Sequence, residues 1–209
     1  QVFEQEVPIG ERLQYEEARV VKSDEDEVLF VMLDISERKQ AEFALQQQVR
    51  QEQLLADIAQ EIRQSLDLNQ VLHSTVNRIR EWLGCDRVII FRFCPDWQGE
   101  VIMESVGDQW TAILSTTITD PCFEEKFIQP YRQGHVSVLN DIHQPGLEPC
   151  YIGLLQQFQV QAGLAVPILQ GNHLWGLLIA HQCSAPRQWQ PNEIQMLKRL
   201  ATQVAIASY

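Results

Sequence analysis

An α+β fold, built on a central antiparallel sheet with helices packed on it, is the class this sequence predicts. Three observations predict it. Beyond residue 67, apolar runs of strand length alternate with longer segments of helical period. Neighbouring strand-like runs are joined by connections short enough for hairpins, and the helical segments gather at the ends of the block. The chain divides into residues 1–36, 37–66 and 67–209.

In the first block, Leu13 to Val21 and Glu27 to Leu33 read as strands separated by the acidic, turn-like Ser23-Asp24-Glu25-Asp26-Glu27. Two strands alone are marginal as an independent domain, so this block reads as the tail of something larger. The second block holds no Gly or Pro, is rich in Gln, Glu, Ala and Leu, and has Ser36 as its N-cap candidate. Ala41, Leu45, Gln48, Glu52, Leu55, Ala59, Ile62 and Leu66 follow alternating steps of four and three. Two readings of that helix stand: pairing with its copy in a homodimer, or packing of a single helix on the third block. Polar Gln48 and Glu52 weaken the paired seam.

The third block opens with a helix from Leu68 to Leu83, stopped by Gly84. Arg87 to Phe93 and Glu100 to Val106 are strands joined across Cys94 to Gly99. Phe123 to Arg132 is helical apart from Pro130, and Val136 to Leu139 is a short strand. Pro149 suits the first turn of a helix running to Phe158. Ala165 to Leu169 and Leu174 to His181 form a hairpin across Gln170-Gly171-Asn172-His173, and Glu193 to Ala207 closes the chain as an amphipathic helix.

Composition narrows the function classes. Sixteen Lys plus Arg against 28 Asp plus Glu give a formal charge of −12, which repels phosphate backbones and anionic lipid. Nucleic acid and membrane surfaces are therefore not expected partners, and no apolar stretch nears the roughly 20 residues that span a bilayer. Five widely spaced cysteines and no secretory leader predict reduced thiols in a cytoplasmic protein rather than a disulfide framework. His181-x-Cys183 alone is a weak zinc signal.

Leu83-Gly84-Cys85-Asp86-Arg87-Val88, Phe91-Arg92-Phe93, Pro95-Asp96-Trp97, Leu174 to His181 and Pro186-Arg187-Gln188-Trp189 together resemble the bilin-binding GAF domains. Asp120-Pro121-Cys122-Phe123 is similar to the Asp-x-Cys-Phe signature of the two-cysteine cyanobacteriochromes. Cys150, inside Leu147-Glu148-Pro149-Cys150-Tyr151-Ile152-Gly153, matches their anchoring cysteine. Val28 to Leu33 followed by Asp34-Ile35-Ser36-Glu37-Arg38-Lys39 resembles the C-terminal end of a PAS domain running into its exit helix.

The resemblance implies a photoreceptor module, not an enzyme, that binds phycocyanobilin or its isomer phycoviolobilin covalently. Cys150 would be the anchor and Cys122 a second, reversible thioether that interrupts the conjugation. Asp120 would accept hydrogen bonds from pyrrole N–H groups, and His181 would face ring D. Tyr131 and Phe123 would be pocket aromatics, with Trp110 a further ring that could pack on the pyrroles. Tyr151 stands where the family places His; it can stack and donate one hydrogen bond but carries no positive charge. Photoswitching would follow Z/E isomerisation at ring D, with the change passed through helices to a neighbouring domain. Cys85, Cys94, Cys183, Trp175 and Trp189 match no ligand position and read as packing residues. Two alternatives remain: a GAF domain for a cyclic nucleotide or other small metabolite, and a thiol redox sensor built on Cys122 and Cys150.

Overall fold

A computed structural model describes residues 2–9, 12–24, 27–64, 68–94, 98–119 and 125–208 of the chain. Its contacts divide the chain into two compact units, Gln1–Gln53 and Leu54–Tyr209. The first unit has three strands, β1 (Val2–Ile9), β2 (Arg12–Asp24) and β3 (Glu27–Asp34), in an antiparallel sheet of order β1-β2-β3. The sequence predicts only two. Val2 to Ile9 runs Val-Phe, Glu-Gln-Glu, Val-Pro-Ile with no period-two alternation and includes Pro8, so its strand character comes from pairing with β2. Most of the side chains of β3 are exposed.

A single helix, α1 (Ser36–Gln64), follows. Ser36 does not cap it as predicted. The Ser36 N–H donates to Asp34 Oδ1 at 2.9 Å, while its hydroxyl accepts the Tyr15 backbone N–H at 2.9 Å. Asp34 thus takes the capping role and Ser36 ties the helix start to β2. Within the first unit, Phe43, Leu45 and Val49 of α1 are exposed. Its last turns belong to the second unit, where Leu55 is buried and Ile58 fully so. The helix therefore meets the packed reading over its C-terminal part. Ile58, absent from the predicted seam, is fully buried in the main core of the second unit.

The second unit holds α2 (Leu68–Leu83), β4 (Arg87–Phe93), β5 (Gly99–Val106), β6 (Thr117–Ile118), α3 (Glu125–Arg132), β7 (Ser137–Leu139), α4 (Pro149–Gln157), β8 (Ala162–Gln170), β9 (His173–Gln182) and α5 (Pro191–Ala207). The strands form one antiparallel sheet of order β6-β5-β4-β9-β8-β7. This is the predicted α+β architecture, with the short β6 added by pairing to β5. The β8–β9 hairpin turns at Gly171, whose φ of +60° suits a residue without a side chain. Gly99 is required for a different reason: a Cβ there would lie 1.8 Å from Cζ of Phe91.

One face of the sheet is the main core. Val88 and Ile90 of β4 and Leu178 and Ala180 of β9 alternate onto it, against Leu72, Val76 and Ile79 of α2 and Leu197, Leu200 and Val204 of α5. Each such fully buried aliphatic side chain contributes about 1.5–3 kcal/mol. Trp189 and Trp175 belong to this packing, as predicted.

Two segments remote in sequence lock the edge of that core. The Asp86 carboxylate accepts the Cys183 N–H at 2.8 Å, the Ser184 N–H at 2.9 Å and Gln182 Nε2 at 2.7 Å. Arg187 donates to the Leu83 carbonyl and to Glu193, each at 2.6 Å, and lies 4.5 Å over the Trp189 ring. Trp189 in turn donates from Nε1 to the Leu139 carbonyl at 3.2 Å.

Candidate functional site

The other face of the sheet carries a cavity. Two cross-strand rows build it: Arg87, His181, Gly163 and Leu139, then Ile89, Ile179, Ala165 and Ser137. Glycine and alanine on β8 leave space where neighbouring strands carry full side chains, and α4 roofs that space with Tyr151, Leu154 and Leu155. Phe91 and Phe93, edge to face with ring centroids 5.3 Å apart, close one end with Tyr131 of α3. The cavity volume is about 130 Å³.

Three of the predicted site residues, Tyr131, Tyr151 and His181, come together on this wall from α3, α4 and β9. Cys150 sits beside Tyr151 in the first turn of α4, exposed to solvent. Pro149 occupies the opening position of that helix, and the Glu148 carbonyl accepts the Tyr151 and Ile152 N–H groups at 3.0 and 3.1 Å. Trp110 does not line the cavity; it stands in the turn after β5, where its N–H closes on the Gly107 carbonyl at 3.0 Å. Asp120, Cys122 and Phe123 lie outside the described residues.

Thiol chemistry differs sharply between positions. Burial pushes the Cys85 thiol up to about 12 and the Cys183 thiol up to about 11, so both are inert packing groups. Among the described residues, Cys85, Cys94 and Cys183 are free thiols.

The Tyr131 phenol is partly buried: that burial pushes its titration upward, opposed by a hydrogen bond with Ser137. Ser137 also lines the cavity and is a polar wall residue that no sequence motif indicated. Its signal was available only through the register of β7 on β8.

His181 is buried, and its Nδ1 has no hydrogen-bond partner among the described residues. Burial first, and then the positive charge of Arg87 across the strand pair, pull its pKa down from 6.5 to about 3. The folded chain holds the imidazole neutral while the unfolded chain binds a proton below 6.5. Stability is therefore lost as pH falls from 6.5 toward 3, by about 1.4 kcal/mol per pH unit. Urea unfolding of the pigment-free chain at about pH 6.5 and about pH 5 should differ by about 2 kcal/mol, and a His181→Gln variant should show almost no difference.

Behind the wall lies an ion pair that sequence reading missed. Arg87 is fully buried; it donates to the Thr111 carbonyl at 2.7 Å and to the Phe158 carbonyl at 2.8 Å. Its Nε stands 3.1 Å from Glu104 Oε1 in a charge contact that is not aligned as a hydrogen bond. The other Glu104 oxygen accepts the Ile113 and Leu114 N–H groups, both at 2.8 Å. One pair of side chains thus fixes the loop after β5 and the end of α4, both of which supply cavity residues (Ile113 and Phe158).

Among the described residues, no helix is long and apolar enough to cross a membrane, and no group of three or more His, Cys, Asp or Glu could hold a metal ion. Residues 67–207 match the family model described as GAF domain. The chain is 42% identical over 158 residues to a putative methyl-accepting chemotaxis protein of Synechocystis, covering 76% of this chain and 16% of that protein. It is also similar to the blue-light absorbing form of the Thermosynechococcus elongatus PixJ GAF domain, at 40% identity and a TM-score of 0.64 over 67% of this chain and 83% of that one. A phycocyanobilin-bound GAF domain from a cyanobacterial phytochrome is similar at 27% identity and a TM-score of 0.70, over 76% and 93% of the two chains.

Proposed function

The chain belongs to the GAF domain family, and from that premise we propose that it is the pigment-carrying module of a cyanobacteriochrome-type photoreceptor. The observation that supports this most is the exposed Cys150 in the first turn of α4, beside a cavity walled by Tyr151, Tyr131 and His181. The residues present fit a linear tetrapyrrole. The wall is apolar over most of its area, Gly163 and Ala165 leave room against the sheet, and the orphaned Nδ1 of His181 offers a buried polar partner. Few polar groups line the space, which does not suit the phosphodiester of a cyclic nucleotide.

Cys150 is the covalent anchor, since the N-terminus of a helix favours the thiolate that attacks an unsaturated carbon. Cys122 forms the second, reversible thioether, and Asp120 accepts hydrogen bonds from the pyrrole nitrogens. Tyr151 stacks on the ring system, His181 faces ring D as a neutral imidazole, and Tyr131 and Phe123 fill the remaining wall. When bound, phycocyanobilin or phycoviolobilin supplies visible absorption and Z/E isomerisation about the bond to ring D. The chain performs no catalytic turnover beyond its own loading, and its setting is cytoplasmic.

The module signals through its helices to a neighbouring domain, and residues 1–36 are the end of a PAS domain. Exposed Leu45 and Val49 on α1 support pairing with a second copy, which sedimentation at high concentration should detect as twice the chain mass. The chain spans about 16% of the chemotaxis relative, so the output is that of a larger protein.

The test is an absorption spectrum of pigment-loaded chain in each photostate, before and after acid denaturation. Wild type should show a violet- or blue-absorbing state. Cys122→Ala should keep denaturation-resistant colour and lose that state; a variant that still absorbs there has no second linkage at Cys122.

A further inference from the structure

Among the described residues, the side chains that bring polar atoms to the cavity are those of Tyr131, Ser137, Tyr151 and His181. Two of these meet each other. The Tyr131 phenol and the Ser137 hydroxyl are hydrogen-bonded although they come from different elements, α3 and β7. Ser137 stands opposite Ala165 in the β7–β8 register, so its cross-strand neighbour on that face carries no polar group. Each of the two hydroxyls has one proton to give and lone pairs that accept. The bond opposes the upward push of burial on the Tyr131 titration, which is the effect of a proton pointed at the phenol oxygen. Ser137 is then the donor and the Tyr131 oxygen the acceptor. That leaves the phenol proton available to an acceptor in the cavity. Phe91, Phe93 and Leu177 surround the ring, and an O–H held among apolar side chains gains most from such an acceptor.

We propose that Ser137 is a positioning residue for the pigment: its hydroxyl donates to the Tyr131 oxygen and so commits the phenol O–H to a carbonyl oxygen of the tetrapyrrole. The proposal rests on the reading of this cavity as the pigment site. Ser137 acts through Tyr131, and its hydroxyl fixes which way the phenol proton points. His181 lies two strands away from Ser137 in the same sheet, about 10 Å by the spacing of strands. The wall thus offers two separated polar points, which suits a long ligand with hydrogen-bonding groups on different rings.

The experiment reads affinity apart from attachment, by titrating phycocyanobilin into full chains that carry Cys150→Ala. Adding Ser137→Ala to that chain should weaken binding by about two- to tenfold, the loss of one neutral hydrogen bond. Tyr131→Phe should weaken it by a similar factor, from the other end of the bond and with β7 unaltered. Ser137→Thr keeps the hydroxyl and should bind as the parent does. With Tyr131→Phe already in place, Ser137→Ala should cost nothing further, because the two groups act as one unit. A Ser137 that only supports β7, or that touches the pigment itself, weakens binding in both backgrounds. That result overturns the proposal, as does an unchanged affinity with Ser137→Ala or a loss with Ser137→Thr, and each leaves the pigment site intact. Failure of the Cys150→Ala chain itself to bind phycocyanobilin overturns the reading of the cavity instead.

Discussion

A Cys150→Ala chain purified from cells that make phycocyanobilin should lose essentially all colour that survives denaturation. The substitution acts on an exposed side chain in the first turn of α4. The cavity wall of Tyr131, Tyr151 and His181 is untouched, and some pigment can remain there without a covalent bond. That pigment leaves when the wall unfolds, because only a covalent bond persists in denaturant. Cys94→Ala is the matched control: a free thiol away from the cavity wall, whose loss should leave resistant colour unchanged. Resistant colour retained in the Cys150→Ala chain would falsify the anchor.

The elements of the second unit were legible because each had a local signature. The alternation of Val88, Ile90 with Ile89, Phe91 set β4 on two environments, and the core on one face and cavity on the other use that alternation. Gly84 ended α2 with a φ of +58°, as its position after an amphipathic run implied. Less legible were elements whose signature lies in a partner. β6 is two residues long and exists through its pairing with β5; β1 exists through its register on β2. The capping of α1 was misassigned for a related reason. Asp34 and Ser36 are both good caps in isolation, and only the demand of the Tyr15 N–H decides between them.

The site divides in the same way. Motif resemblance reached Cys150, Tyr151, Tyr131 and His181, and the fold sets the last three around one cavity. It could not reach Ser137 or the small residues Gly163 and Ala165, because their role comes from lying opposite His181 and Ile179 in the sheet. Asp86 and Arg187 were quoted as parts of a family pattern, yet their physical work is to tie residues about a hundred positions apart. Arg87 is the clearest case. In sequence it is one more charged residue opening a strand; in the fold it is fully buried with four partners.

Breaking that buried pair should be the most costly single change in the second unit. Arg87→Met keeps the length of the side chain but strands the Glu104 carboxylate in the interior and frees the Thr111 and Phe158 carbonyls. Glu104→Gln keeps the shape and leaves the Arg87 charge without its counter-ion. Removing one partner of a buried pair costs about 3–5 kcal/mol, because the other charge remains desolvated. Removing both returns part of that cost, so the double variant should be less destabilised than the sum of the singles, by about 1–3 kcal/mol. Additive losses in urea unfolding would show that the two side chains do not act as a pair. The same variants should also load pigment poorly, since the freed segments carry Ile113 and Phe158 of the cavity wall. Loading and stability then fall together. For Cys150→Ala attachment is lost while the wall residues are all retained, and that contrast distinguishes a group that shapes the site from one that bonds to what fills it.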